Sequence, residues 1–265
     1  MKKISDIGRI FYGIAIAVLG FQTIYDHDFP YMLIPPNHSW IQGLALLTYI
    51  SGAMLLLAGV CIVFEKQTRP VALLLGTALL LIFCFYYIPY EFTATSNYMQ
   101  PIEWDNAEKE LDLSAGAFVI AGSVSKKNKN IVENFLSKLI PLGAIVFSIT
   151  IITFGIDHFL YAKGVSEYIP SWIPNHMFWT YLAGIALFGA GIAILLKIRI
   201  RLFATLLGTM IFIWFIILHV PKVINAPSAY IKDETTSALL ALMYSGVAFV
   251  IAGNSKKNQM RVDNG

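Results

Sequence analysis

The sequence predicts an all-α integral membrane protein with eight transmembrane helices, arranged as a tandem pair of four-helix bundles. Three observations carry this expectation. Charged residues make up only 13% of the chain and hydrophobic residues 57%, about half the charge share of an ordinary soluble domain. Apolar runs recur at roughly 8–25, 41–64, 71–90, 107–124, 140–161, 177–197, 202–221 and 236–253, most of them near the twenty or so residues that a helix needs to cross the hydrocarbon. The chain is also written twice, as the self-comparison below shows.

The first run follows a basic leader, "MKKISDIGRIFYGIAIAVLGF", and continues through "GFQTIYDHDF" without a small-x-small cleavage site. It therefore reads as an uncleaved first helix. Orientation follows from the placement of lysine and arginine in short connections. One set of connections carries Lys2, Lys3, Arg9, Lys66, Arg69, Lys126, Lys127, Lys129, Lys138, Lys197, Arg199, Arg201, Lys256, Lys257 and Arg261, whereas the other carries Lys109, Lys163, Lys222 and Lys232. This bias predicts a multi-pass protein of the cell (inner) membrane with both termini cytoplasmic. The outer side collects Trp40, Trp104, Trp172 and Trp179, as an interfacial aromatic belt does. The formal net charge of +3 is then an insertion signal, the expected partner is the lipid bilayer, and nucleic-acid binding is not implied. Cys61 and Cys84 are expected at different depths, too far apart for a disulfide.

Aligned on itself, the chain pairs "YISGAMLLLAG" (49–59) with "YLAGIALFGAG" (181–191), and "ALLLGTA" (72–78) with "ATLLGTM" (204–210). "SAGAFVIAGS" (114–123) pairs with "SGVAFVIAGN" (245–254), and "GRIFYGIAIAVLGFQTI" with "GAIVFSITIITFGIDHF". Four matched segments in one order predict a first unit over 1–124, a basic cytoplasmic linker over 125–138, a second unit over 139–255 and a cytoplasmic tail over 256–265. Each unit has four helices, an even number, so both face the same way about a pseudo-twofold axis along the membrane normal.

Gly59 is followed by "TRPVA" (68–72), Gly191 by "IRLFA" (200–204), and the second half carries "GIDHFLY" and "YIPSWIPNH". With the four-helix unit length, these segments resemble the DoxX-like membrane protein family, over nearly the whole chain as two fused units. The resemblance implies a four-helix membrane bundle. It also implies an association with quinone-linked or thiol-redox complexes for some members, and with assembly of other membrane proteins for others. Gly52, Gly59, Gly184, Gly189 and Gly191 read as small residues that let helices approach. Arg69 and Arg201 read as topology determinants reaching lipid phosphates.

The polar residues inside apolar runs are the candidate site. Asp157 lies about seventeen residues into the fifth run, roughly 25 Å up a core about 30 Å thick. His219 lies equally far into the seventh, so Asp157, His158 and His219 are expected at one level, around a single outward-opening polar cavity with His158 or Tyr161 on its rim. Their first-copy counterparts are Gln22, Thr23 and Tyr87. Asp112 is expected near mid-bilayer, facing protein and paired with a hydroxyl, tyrosine or histidine, because a lipid-facing acid is costly. Glu108 lies one turn above it on the same face; the second-copy counterparts, Leu239 and Met243, are apolar. Asp105, Glu108 and Glu110 also suit first-turn capping roles, Asp105 and Glu108 with capping-box spacing. "DHDF" (26–29) reads as a solvated turn and His38 and His176 as loop residues; no metal spacing is present.

Three functions stay open at this point. One is a membrane subunit of a redox complex that binds a quinone or similar small amphiphile near the outer leaflet, with Asp157, His158 and His219 handling protons and a redox partner subunit carrying electrons. Another is a proton-coupled small-solute transporter with Asp112 as carrier, against which the lack of visibly broken helices counts. The third is a non-catalytic scaffold or assembly factor. Reporter fusions at Asn128 and Asn97 test the topology: Asn128 should report cytoplasmic and Asn97 external, and equal signals would contradict eight crossings.

Overall fold

The computed structural model describes residues 2–35, 44–94, 99–125 and 131–262. His38, Trp40, Asn97 and much of the basic linker lie outside these residues. The order is α1 (Lys2–Tyr25), α2 (Leu44–Val63), α3 (Thr68–Ile82), a π-helical turn (Phe83–Tyr87) and α4 (Ile88–Thr93). After a short 3-10 turn come α5 (Asp105–Ser123), α6 (Ile131–Leu136), α7 (Ile140–Leu160), α8 (Ala162–Glu167) and α9 (His176–Leu195). The chain ends with α10 (Ile200–Trp214), a second π-helical turn (Phe215–His219), α11 (Val220–Asn225) and α12 (Ile231–Val262). No strand occurs among the described residues. Part of the expected linker is helical, since α6 and a 3-10 turn lead directly into α7.

Among the described residues, seven helical stretches are long and apolar enough to cross a membrane, as in a multi-pass membrane protein. The remaining expected crossing, 107–124, forms α5 but is not among them. Five of its first eight residues are ionisable: Asp105, Glu108, Lys109, Glu110 and Asp112. Position explains this composition. α5 packs against α3, α7 and α12, so its polar groups meet protein on several sides. Twelve of its nineteen residues are buried. α12 is its counterpart, packed against α1, α5 and α10, with 89% of its most apolar stretch buried, against 28% for the helix built on α3 and 22% for that built on α10. α5 and α12 are therefore the interior helices, and the others present apolar faces outward.

The halves are joined through their first and fourth long helices. α1 packs on α2 of its own half and on α12 of the other; α7 packs on α9 of its own half and on α5 of the other. One hydrophobic core runs through both halves, from Tyr12 and Ile16 to Phe147, Met243 and Val247. The repeated sequence makes repeated contacts. Ser114 Oγ donates to the Gly76 carbonyl at 2.7 Å, and Ser245 Oγ to the Gly208 carbonyl at 2.9 Å. Gly8 faces Gly246 and Val250, as Gly143 faces Ala115 and Val119. Even the turns match, since Glu65 and Gln67 carry positive φ before α3, as Lys197 and Arg199 do before α10.

Both π-turns have a covalent origin. Pro89 and Pro221 have no N–H to offer the carbonyl four residues back, so the ladder loosens one turn earlier and closes with wider i→i+5 bonds. These turns interrupt the equivalent helix in each half, which the apolar pattern alone does not reveal.

Arg69 departs from its expected lipid-facing role. Its guanidinium donates to Glu133 Oε1 at 3.0 Å, to the Ala121 and Val124 carbonyls and to Ser137 Oγ, fastening the end of α5 to the approach to α7. Arg9 similarly donates to the Ile62 and Val63 carbonyls that end α2. Arg201 is exposed. The polar groups of "DHDF" do not converge: His27 Nδ1 bonds Tyr49 Oη at 2.8 Å, Asp28 pairs with Lys232 at 2.7 Å, and Asp26 Oδ2 is buried without a partner.

Four of the five approach glycines, Gly52, Gly59, Gly184 and Gly191, stand against a neighbouring helix, whereas Gly189 has nothing within 4 Å. A Cβ on Gly246 would stand 2.6 Å from the Gly8 carbonyl oxygen, a backbone atom that cannot swing aside. Gly246→Ala should cost about 1–3 kcal/mol, read as a lower thermal midpoint in detergent. Gly189→Ala should leave the midpoint unchanged or raise it; equal losses in both would contradict the packing.

Candidate functional site

Adjacent residues on a helix point about 100° apart, and at the end of α7 this separates Asp157 from His158. Asp157 faces α5. Its electrostatic neighbours are Asp105, Lys109 and Glu108. His158 faces the other way, into a cavity of the second half. The two candidate groups thus occupy different faces of one helix, and the single polar cavity expected from depth resolves into two sites.

The first site is a ladder of polar groups between α5 and α7. Thr150 Oγ1 donates to Asp112 Oδ1 at 2.5 Å, and Thr153 Oγ1 to Glu108 Oε2 at 2.7 Å. Residues three or four apart share a helix face, so Thr150, Thr153 and Asp157 ascend α7 opposite Asp112, Glu108 and Asp105 descending α5. Asp112 is fully buried and faces protein, as its cost in lipid requires. Its Oδ2 has no hydrogen-bond partner. The Tyr244 hydroxyl of α12, also buried without a partner, lies within electrostatic range of Asp112 and Glu108.

The capping roles expected at the start of α5 are not made. Asp105 pairs with Lys109 one turn on, and the Lys109 ammonium stands 5.4 Å from the Tyr31 ring centroid. Glu108 goes to Thr153. Glu110 is fully buried on another side of α5, both oxygens without a partner, within electrostatic range of Tyr12 and Tyr87.

The same interface in the other half, between α12 and α1, lacks the ladder. The counterparts of Asp112 and Thr150 are Met243 and Ala15, and those of Glu108 and Thr153 are Leu239 and Val18. Acid and hydroxyl are present together in one interface and absent together from the other. Only the outermost pair stays polar in both: where Asp157 faces Asp105, Gln22 Nε2 donates to Thr236 Oγ1 at 3.0 Å. Thr150 and Thr153 are not singled out by the sequence, and Glu110 reads there only as a first-turn acid. The signal for the threonines is available there, as two hydroxyls three residues apart in "ITIITF" whose counterparts are apolar.

The second site is a cavity of about 170 Å³ bounded by α7, α9, α10, α12, the π-turn before α11 and the chain after α8. Its walls include His158, Tyr168, Trp179, Thr180, Trp214 and His219, and the rest of the lining is largely aliphatic. The π-turn delivers His219 to this wall at the position that Tyr87 holds in the first half. Asp157 and Tyr161 are not among the lining residues; Tyr168 supplies the aromatic rim, with the Lys222 ammonium 3.8 Å from its ring centroid. The cavity is an apolar, aromatic slot with two imidazoles, in place of the expected polar one.

The tautomer of His158 follows from its partner. Nδ1 lies 2.7 Å from the Phe154 carbonyl oxygen, which can only accept, so Nδ1 carries the hydrogen and Nε2 of the neutral ring is left as an acceptor. His219 Nδ1 is buried without a partner. An aromatic slot with a free ring nitrogen suits a flat ligand bearing one or two hydrogen-bonding oxygens.

Residues 147–249 match the family described as Domain of unknown function (DUF8561), a stretch that holds His158, His219 and the cavity's other named walls. No curated protein and no solved structure matches the chain.

Proposed function

We propose that this protein is an eight-crossing inner-membrane protein, built from two DoxX-like four-helix repeats with both termini cytoplasmic, whose second half binds a small amphiphile with a single-ring headgroup of the quinone or quinol class. One observation carries the reading: the two imidazoles on an aromatic cavity of about 170 Å³. A dry engineered cavity of about 150 Å³ holds benzene, so the volume suits one six-membered ring. The burial of His219 Nδ1 without a partner supports a polar ligand atom at that wall. α5 supports the eighth crossing, because its acids face protein and need no lipid-compatible face.

In this reading His158 Nε2 would accept a hydrogen bond from a ring hydroxyl, and His219 would hold a ring oxygen. A bound quinone would supply two-electron, two-proton redox chemistry. The chain's residues bind and orient the ring and exclude water, and a partner subunit carries the electrons. A second reading, a proton-coupled transporter of small solutes, is favoured by the π-turns, which interrupt equivalent helices in both halves.

Trp179 and Trp214 line the cavity, so quenching of tryptophan fluorescence by decyl-benzoquinone in detergent reads binding directly. His219→Gln should raise Kd about tenfold, the equivalent of one hydrogen bond at about 1.4 kcal/mol, and Ala183→Phe should abolish binding by filling the space. Asp157→Asn, away from the cavity, should leave Kd unchanged. Wild-type affinity in both His219→Gln and Ala183→Phe would overturn the reading.

A further inference from the structure

The ladder between α5 and α7 is separate from the cavity, and its geometry asks for a ligand of another kind. Asp112 and Glu108 lie four residues apart on one face of α5. Each receives one hydroxyl, from Thr150 and Thr153, on one oxygen. The second oxygen of Asp112 is buried with no partner. An ionised carboxylate without a cation is among the most costly groups to bury, and two of them side by side repel. The groups around the pair are Asp105 and Lys109 on the same helix, Asp157 from α7, Tyr244 from α12 and Tyr31 from the segment after α1. The one cation among them, Lys109, pairs with Asp105 and also faces Glu108, leaving Asp112 without one.

Accessibility falls along the ladder. Asp157, Asp105 and Glu108 are partly exposed, and Asp112, at its inner end, has no exposure. Below Asp112 the buried face of α5 is made of Leu113, Ala115, Ala117 and Phe118, with no further carboxyl. The row therefore opens toward the end of the bundle that holds Asp28, Lys232 and Tyr31, and closes at Asp112.

We propose that Glu108 and Asp112 form a site that binds one exchangeable proton between them, loaded past Asp157 and Asp105 from that end of the bundle. A hydronium ion gives up its proton to the Glu108 carboxylate and leaves as water. Transfer to Asp112 restores the Glu108 carboxylate, so one positive charge enters and none is created. Thr150 and Thr153 keep one oxygen of each carboxyl occupied, leaving the other for the proton. The geometry makes this a proton-loading site open to the end of the bundle that holds Asp28, Lys232 and Tyr31, with no further carboxyl on α5 below Asp112.

The test is infrared spectroscopy of the full-length protein in nanodiscs, titrated with pH in H2O and D2O. The wild type should show a carboxylic-acid C=O band that appears and disappears with pH and shifts in D2O. Asp112→Asn should remove the band. Glu108→Gln should move its midpoint, and Thr150→Val, which deletes one donated hydrogen bond, should shift its frequency while retaining the fold. Asp112→Glu should keep a titrating band, guarding against loss by misfolding. His219→Gln should change none of this, so the result is independent of ligand binding in the cavity. A band that never titrates, or one indifferent to Asp112→Asn and Glu108→Gln, would overturn the proposal.

Discussion

The architecture depends on burying an acidic helix. α5 carries Glu110 and Asp112 into the interior, with the half-buried Glu108 one turn above Asp112, and the cost of the Glu108–Asp112 face is offset by groups on the helices around it. Thr150 and Thr153 answer two of the acids from α7. That requirement ties the fourth long helix of one half to the first of the other. The same cross-over joins α12 to α1 through apolar residues and closely packed glycines. The halves thus complete one another, with α5 and α12 as the shared interior.

Duplication gives the protein two chances to build each interface, and it uses them differently. Inward of the Gln22–Thr236 pair the α1–α12 contact is plain packing: Ala15, Val18, Leu239 and Met243 stand where the other interface has threonines and acids. Thr150 and Thr153 can each bond a carbonyl of their own helix instead, so it is the acid that depends on the pair: an apolar residue opposite would leave a bonded oxygen of Asp112 or Glu108 without its donor. Their joint presence and joint absence follow from that. The π-turn is the other duplicated device put to two uses. In the first half it ends on buried Tyr87, and in the second on His219, which lines the cavity.

Much of this was legible in the sequence. The helical runs, their repeat and the burial of Asp112 follow from hydropathy and from the cost of a lipid-facing acid. What hydropathy does not encode is which neighbour a buried face meets. Depth alone put Asp157 beside His219, but depth is one coordinate, and the 100° step between Asp157 and His158 sends only the histidine to the cavity. Glu110 passed for a first-turn acid because its distance from the helix start is short, yet α5 is enclosed on that side too. Arg69 reads in the sequence as a lipid anchor because nothing in its hydropathy marks the helical approach to α7, with Glu133 and Ser137, as its partner. The π-turns were hidden because apolar residues run through them unbroken, although Pro89 and Pro221 mark both.

The central claim is that Asp112 and Thr150 form one coupled unit whose counterpart is Met243 with Ala15. A double-mutant cycle measures it directly. Asp112→Met and Thr150→Ala, each alone, should lower stability in detergent, while the double variant, which installs the counterpart pair, should recover part of the loss, with a coupling energy of about 1–3 kcal/mol. Losses that simply add would contradict the account.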